Sequence, residues 1–388
     1  MKSLKSKIAA SALALSLAGG VFVTNPTTAE AAGKPLNIKK VLNLPAEGVT
    51  TPAETFTFKF TAHSKNDDKT KTEGMPAIKD VTVDYSASDK DDNDGTKDGK
   101  QLIKESADAL GGVTFTEAGQ YTYTVKETAG GTTDMTYSQA EYTVSLFVKK
   151  VGDNFEVTDI QIKKTKDDKG GDVTENKTEY EPGDDSDTKK EKNKLAFENN
   201  YDKKAGNDNP TGGPEIQDAD KKGFALRKRI TDPNPDTNAE FKFKLKVAKP
   251  TGSNSDAGAF KYFIAGESGK IGEEKTQNYG EDFDITLKHN QRIVFSEVLL
   301  GSTVEYDETH AGAYTGSVKS ATFNGKEGTD KSGIIGDQTG GNFVEYENKT
   351  QTATGLLVDN LPFIALIGVA GAGIFFFIKN RKDEEALA

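Results

Sequence analysis

Cysteine and tryptophan are absent from this chain, and histidine occurs only three times. Without cysteine there are no disulfides and no thiol chemistry, although both ends of the chain read as export signals. Another kind of crosslink would have to fill that place. His63, His289 and His310 are isolated, with no Asp or Glu arranged around them at ligand spacing, so they read as surface histidines; the expectation is no metal and no cofactor. Positive charge is in deficit, 50 Lys and Arg against 61 Asp and Glu, and the net charge of -11 speaks against nucleic acid and anionic membrane surfaces as partners. There is no nucleophile motif, metal cluster or phosphate loop, which argues against an enzyme.

The ends have a recognisable order of parts. Lys2, Lys5 and Lys7 precede an apolar run from Ile8 to Val23 and a small-x-small step at Ala29-Glu30-Ala31, the pattern of a secretory signal cleaved between Ala31 and Ala32. At the other end Leu356 to Ile378 is long and apolar enough to span a bilayer, and Lys379, Arg381 and Lys382 follow it. Between the ends there is room for about two domains of ordinary size. The divisions expected are 1–31 for the signal, 32–200 for a first domain, 201–223 for a linker rich in Gly and Pro, 224–350 for a second domain and 351–388 for the C-terminal segment. Lys166 to Lys194 is polar and charged, and reads as a long flexible insertion in the first domain.

What is present twice is a trio of residues in one order: Lys40, Glu127 and Asn199, then Lys228, Glu308 and Asn348. Each Lys lies in an alternating apolar run at the start of its block, each Glu closes an alternating strand (Tyr121, Tyr123, Val125, Glu127; Val304, Tyr306, Glu308), and each Asn follows an aromatic at the far end. Leu36, Ile38 and Lys40 share parity, as do Tyr121 to Glu127, so the reactive residues keep the phase of the apolar face and point into the core. Burial lowers a lysine pKa and raises that of a glutamic acid, so a neutral amine and a protonated acid coexist near pH 7. The amine then attacks the Asn amide while the acid hydrogen-bonds the carbonyl and shuttles protons; ammonia leaves and a Lys–Asn isopeptide bond remains. This is one turnover within one chain. For a single such residue, a snorkelling surface lysine or an exposed ion pair is the commoner reading. Repetition in order and phase reverses that preference.

With these residues the chain resembles the streptococcal backbone pilins of the T-antigen or FctA type, and the resemblance covers nearly the whole precursor. It implies an all-β architecture of two tandem immunoglobulin-like sandwiches, with Lys40–Asn199 and Lys228–Asn348 as bonded pairs and Glu127 and Glu308 as their acids. Asn200 follows Asn199 and leaves two candidate amides, of which strand phase from Phe197 favours Asn199. Gln351-Thr352-Ala353-Thr354-Gly355 resembles a sortase signal of the LPxTG kind through its Thr-Gly step, with Gln351 and Thr352 departing from Leu and Pro as in variant signals read by a pilus sortase. The acceptor lysine, by the same resemblance, is Lys192, with Lys190 and Lys194 as alternatives in a lysine-rich run that also holds Lys189. The partners implied are identical pilin subunits in a covalent homopolymer, a pilus sortase, ancillary pilins and cell-wall peptidoglycan, on a Gram-positive surface. The missing cysteine excludes the thioester domains of some pilus tip proteins and weakens the alternative of a wall-anchored adhesin. One further motif, Asp94-x-Thr96-x-Asp98-Gly99 with Glu105 at the twelfth place, imitates a calcium loop, but Thr96 stands where Asp or Asn is needed and a polar strand connection is the better reading.

Overall fold

The computed structural model describes residues 33–350 apart from 47–48, 90–99, 175, 182–192 and 252–254. Alternation of apolar and polar residues builds nearly every long strand. In the first domain the strands are β1 (Lys39–Leu44), β2 (Glu54–Lys65), β3 (Val81–Tyr85), β4 (Lys100–Glu105), β5 (Gly119–Thr128), β6 (Met135–Thr136), β7 (Glu141–Val151), β8 (Asn154–Lys166), β9 (Thr178–Glu179) and β10 (Ala196–Tyr201). They form two sheets, in the orders β4-β1-β10-β6 and β3-β2-β5-β7-β8-β9. Phe56, Phe58 and Phe60 of β2 alternate with outward Thr and Lys and pack against Tyr121, Tyr123 and Val125 of β5 and against Phe197 of β10, all buried.

After the short strand β11 (Lys204–Ala205), the second domain contains β12 (Ala225–Ile230), β13 (Phe241–Ala248), β14 (Ala259–Gly266), β15 (Gly269–Asn278), β16 (Asp282–Leu287), β17 (Arg292–Leu299), β18 (Thr303–His310), β19 (Tyr314–Phe323), β20 (Lys326–Gly328), β21 (Ser332–Ile334) and β22 (Phe343–Thr350). Its sheets run β15-β14-β17-β12-β22-β19-β20, with β11 added beside β17, and β16-β13-β18-β21. Phe241, Phe243, Leu245 and Val247 of β13 face inward, and Lys242 and Lys244 face water. In both domains the first strand pairs in parallel with the last, β1 with β10 and β12 with β22. The described residues are thus all-β in two sandwiches, as the sequence suggested.

The Gly- and Pro-rich segment before β12 does not hang free. β12 is buried on both faces because residues 207–223 fold over the outer face of its sheet. Two arginines that point outward from that sheet hold the segment. Arg292 donates from Nε to Asp220 at 2.7 Å and from its remaining nitrogens to the carbonyls of Gly213 and Thr211, and the Arg292–Asp220 side chains are both fully buried. Arg227 bridges Glu345, Glu215 and the Pro214 carbonyl. A buried guanidinium that satisfies its donors in this way avoids most of the penalty of an unpaired internal charge.

The two domains also touch. Ala46 and Val49, in the loop after β1, pack into the core cluster of the second domain. Asp337 accepts hydrogen bonds from the Thr50 amide and hydroxyl and from Lys203, at 2.8–3.0 Å. Gly301, at φ +84°, faces Pro45 and Ala46, where a side chain would collide.

Candidate functional sites: two buried Lys–Glu–Asn trios

Pairing register sets up the first trio. Lys40 on β1 lies opposite Phe197 on β10, and Leu42 lies opposite Asn199, so Lys40 and Asn199 are two positions apart on adjacent parallel strands and share a face. Glu127 reaches them from the facing sheet, where β5 pairs with β2 at Phe58. Lys40 Nζ is 2.7 Å from Glu127 Oε2, and Asn199 Nδ2 donates to Glu127 Oε1 at 2.6 Å. The Lys40 and Glu127 side chains have no exposure to solvent, and the Lys40 nitrogen stands 4.4 Å from the centre of the Phe56 ring. Burial pushes Lys40 down from 10.5 to about 8 against the opposing pull of Glu127, and burial raises Glu127 against the opposing pull of Lys40. Both shifts favour the neutral amine and the neutral acid, so the short contact need not be a buried ion pair.

The second trio repeats the offset. Lys228 on β12 lies opposite Tyr346 on β22, and Ile230 opposite Asn348; Glu308 comes from β18, where it pairs with Phe243 of β13. Lys228 Nζ is 2.8 Å from Glu308 Oε1, within ion-pair distance but misaligned for a hydrogen bond, and Asn348 Nδ2 donates to both Glu308 oxygens at 3.0 Å. Rings of Phe241, Phe243 and Tyr346 surround the Lys228 nitrogen at 4.3–5.7 Å, and burial lowers Lys228 to about 8.

All six residues of the repeated trio therefore meet, three in each domain. Each set puts an amine, a carboxyl group and a carboxamide within reach of one another in a buried core, the arrangement that acyl transfer from Asn to Lys requires. One detail differs from the sequence expectation. Each Glu accepts from the Asn NH2 group instead of touching its carbonyl. In the first site that carbonyl accepts a hydrogen bond from the Ser138 backbone N–H at 2.7 Å; in the second, Asn348 Oδ1 is buried without a partner.

Asn200 lies outside the first trio and accepts a hydrogen bond from Asn43 at 3.0 Å. Lys194 is exposed just before β10. Lys189, Lys190 and Lys192, the signal step at Ala31 and Ala32, and Gln351 to Gly355 lie outside the described residues. Of the calcium-like loop, Glu105 is described, and it accepts from Asn193 at 3.0 Å. Among the described residues no His, Cys, Asp and Glu group is placed to hold a metal. His289 is not a free surface group: its Nδ1 accepts the Ile230 amide at the end of β12.

Sequence reasoning missed two participants. Ser138 sits in the stretch between β6 and β7 and is held by Asp168, which lies in the stretch read as a flexible insertion. Gly316 on β19 pairs with Asn348, and any Cβ there would run into Glu308, Asn348 and Tyr346. A glycine inside an otherwise alternating strand was its one sequence signal.

Residues 36–202 match FctA, described as a Spy0128-like isopeptide containing domain, and residues 222–350 match a domain of unknown function, DUF7601. No curated protein sequence matches the chain. Solved structures similar to it include the major pilin from Streptococcus pyogenes, at 18% identity over 82% of this chain and 99% of that one with a TM-score of 0.33. The T3.2 major pilin from the same organism matches at 19% identity over 81% and 98%, TM-score 0.32. The pilus-presented adhesin Spy0125 (Cpa) matches at 9% identity over 81% and 100%, TM-score 0.26. Such low TM-scores carry no argument about function, so the assignment rests on the family match over the first trio. Residues 36–202, which hold the first trio, thus form a domain of the FctA family, the Spy0128-like isopeptide containing domains.

Proposed function

We propose that this protein is a pilin, the backbone subunit of a covalent pilus shaft on a Gram-positive surface, and that each domain closes its own Lys–Asn isopeptide bond, Lys40 to Asn199 and Lys228 to Asn348. The observation that carries the reading is the same buried constellation built twice, with Lys on the first strand, Asn on its parallel neighbour the last strand, and Glu from the opposite sheet. The Glu takes a proton from the amine and delivers one to the departing ammonia, a single turnover that leaves no enzyme activity behind. Domains at 32–200 and 224–350 joined by 201–223, a signal ending at Ala31, and a C-terminal sorting segment from 351 complete the reading.

In this assignment a pilus sortase cleaves between Thr354 and Gly355 and joins Thr354 to Lys192, or to Lys190 or Lys194, of the next subunit, and the last subunit joins peptidoglycan. Intact mass of the mature ectodomain tests the crosslinks: two bonds remove two ammonias, about 34 Da. An unchanged mass sinks them. Denaturing electrophoresis of wall extracts tests the shaft: a ladder of covalent multimers is expected, whereas a single band would make the protein a wall-anchored adhesin or an ancillary pilin.

A further inference from the structure

The two sites hold their Asn amides differently, and the difference lies at the atom where charge develops. When Lys40 Nζ adds to Cγ of Asn199, the carbonyl electron pair moves onto Oδ1. That oxygen already accepts the Ser138 backbone N–H at 2.7 Å, in a residue that is 6% exposed. The amide cannot turn over without setting its NH2 against another N–H, so Nδ2 stays toward Glu127 at 2.6 Å. Glu127 then spans the reaction with its two oxygens, Oε2 at the nucleophile and Oε1 at the leaving group.

Ser138 itself is held. Its hydroxyl donates to Asp168 Oδ1 at 2.6 Å and accepts from the Ala140 amide at 3.1 Å. Asp168 Oδ1 also accepts the Glu198 amide at 2.8 Å, which ties it to the strand that carries Asn199, while Oδ2 pairs with Lys164 at 2.8 Å and the Asp168 carbonyl accepts from Gln139. One carboxylate thus fixes both the donor and the residue before the reacting Asn. In the second domain, among the described residues, nothing donates to Asn348 Oδ1.

We propose that the Ser138 backbone N–H is an oxyanion donor for the first crosslink, that Asp168 is its positioning residue, and that the second site works without a preformed equivalent. This rests on the isopeptide reading above. The step balances: Nζ–Cγ forms, a proton passes from Nζ to Glu127 Oε2, another passes from Oε1 to Nδ2, Cγ–Nδ2 breaks, the carbonyl re-forms, and ammonia leaves with Glu127 restored. A preorganised donor of this kind contributes on the order of 100-fold in rate.

The test is cell-free synthesis of the full chain, with aliquots quenched in acid, digested, and assayed by mass for the two branched peptides, Lys40–Asn199 and Lys228–Asn348. Two Ser138→Ala chains are compared, one with the normal amide at 138 and one with a backbone ester in its place, which removes only the N–H. The ester is expected to slow the first branched peptide by roughly 100-fold and leave the second unchanged. Equal rates for ester and amide overturn the proposal. Absence of both branched peptides from the unaltered chain would instead overturn the isopeptide reading itself.

Should the ester cost the first domain its protease resistance, a side-chain pair decides. Asp168→Asn keeps an oxygen acceptor for Ser138 and Glu198 and is expected to stay within a few-fold of the unaltered rate, the loss of its charge near Lys40 being the only change at the site. Asp168→Ala is expected to be about tenfold slower or more, as misplacement of a reacting group implies. Identical rates for the pair count against the proposal.

Discussion

On the isopeptide reading proposed above, replacing Gly316 by alanine should block the second crosslink and spare the first. β19 runs beside β22, with Gly316 opposite Asn348, and the space a methyl group would need is taken by the Glu308 carboxylate, the Asn348 carbonyl oxygen and the edge of the Tyr346 ring. None of these is a flexible side-chain end free to swing into solvent: Asn348 is 1% exposed and the Glu308 side chain 4%. The acid or the amide must move, and a shift of about 1 Å in a reacting group is enough to cost on the order of 100-fold. The crosslink closes a loop of about 120 residues, for which chain entropy gives about 5 kcal/mol. A domain of this size loses roughly 4 °C of Tm per kcal/mol, so the second domain should melt about 20 °C lower. Intact mass should show a loss of about 17 Da in place of 34, one ammonia instead of two. Calorimetry should move one of two transitions. A full loss of about 34 Da, or an unmoved second transition in a chain shown to lack the Lys228–Asn348 peptide, would refute the reasoning.

Four further outcomes are expected. The first bond needs the free amine of Lys40, which burial holds at about 8 in the company of Glu127, Asp168 and Glu198, so its rate of formation should climb from pH 6 to 8; a rate independent of pH there would contradict it. In Asn199→Ala the amine persists. The folded form gives up its proton at a lower pH than the unfolded chain, so between about 8 and 10.5 the unfolded chain holds the extra proton. Stability of that variant should therefore rise with pH by up to about 3 kcal/mol, a slope that denaturant titration should find missing from the crosslinked protein. For load, if Thr354 and a lysine near β10 are the joints, tension enters the second domain at Lys228 and leaves at Asn348; single polymers of Glu308→Ala should lengthen on pulling, and unchanged inextensibility would oppose that path. At the domain junction, Asp337→Asn weakens the acceptor of Thr50 and Lys203, and hydrogen exchange at the Thr50 amide should quicken by about tenfold, with unaltered exchange as the contrary result.

The trios were legible because three strands each carried a phase. Lys40 shares parity with Leu36 and Ile38, and Glu127 with Tyr121 to Val125, so orientation followed from spacing alone. Which strands would be neighbours was not legible, since a parallel pairing of β1 with β10 joins residues over 150 positions apart. Ser138 and Asp168 escaped because their part is played by a backbone N–H and by turn geometry in polar, charged sequence whose composition looks like solvent-exposed loop. Residues 201–223 read as a linker from their Gly and Pro content, and only the three-dimensional placement of Arg292 and Arg227, charged residues on a sheet face, reveals what they bind. Burial of an arginine is decided by its partners, and those are distant in sequence.

The parallel pairing of first and last strands has a geometric consequence. A chain that enters along β12 and departs along β22 in the same direction goes in at one pole of the domain and comes out at the opposite pole, and the same holds for β1 and β10. Antiparallel neighbours would return the chain to its point of entry and leave each domain as a side lobe. In a fibre of the proposed kind every copy would add its full long dimension, and without the crosslink a pull on the ends would shear the two strands past each other, straining all their ladder bonds together instead of opening them one at a time.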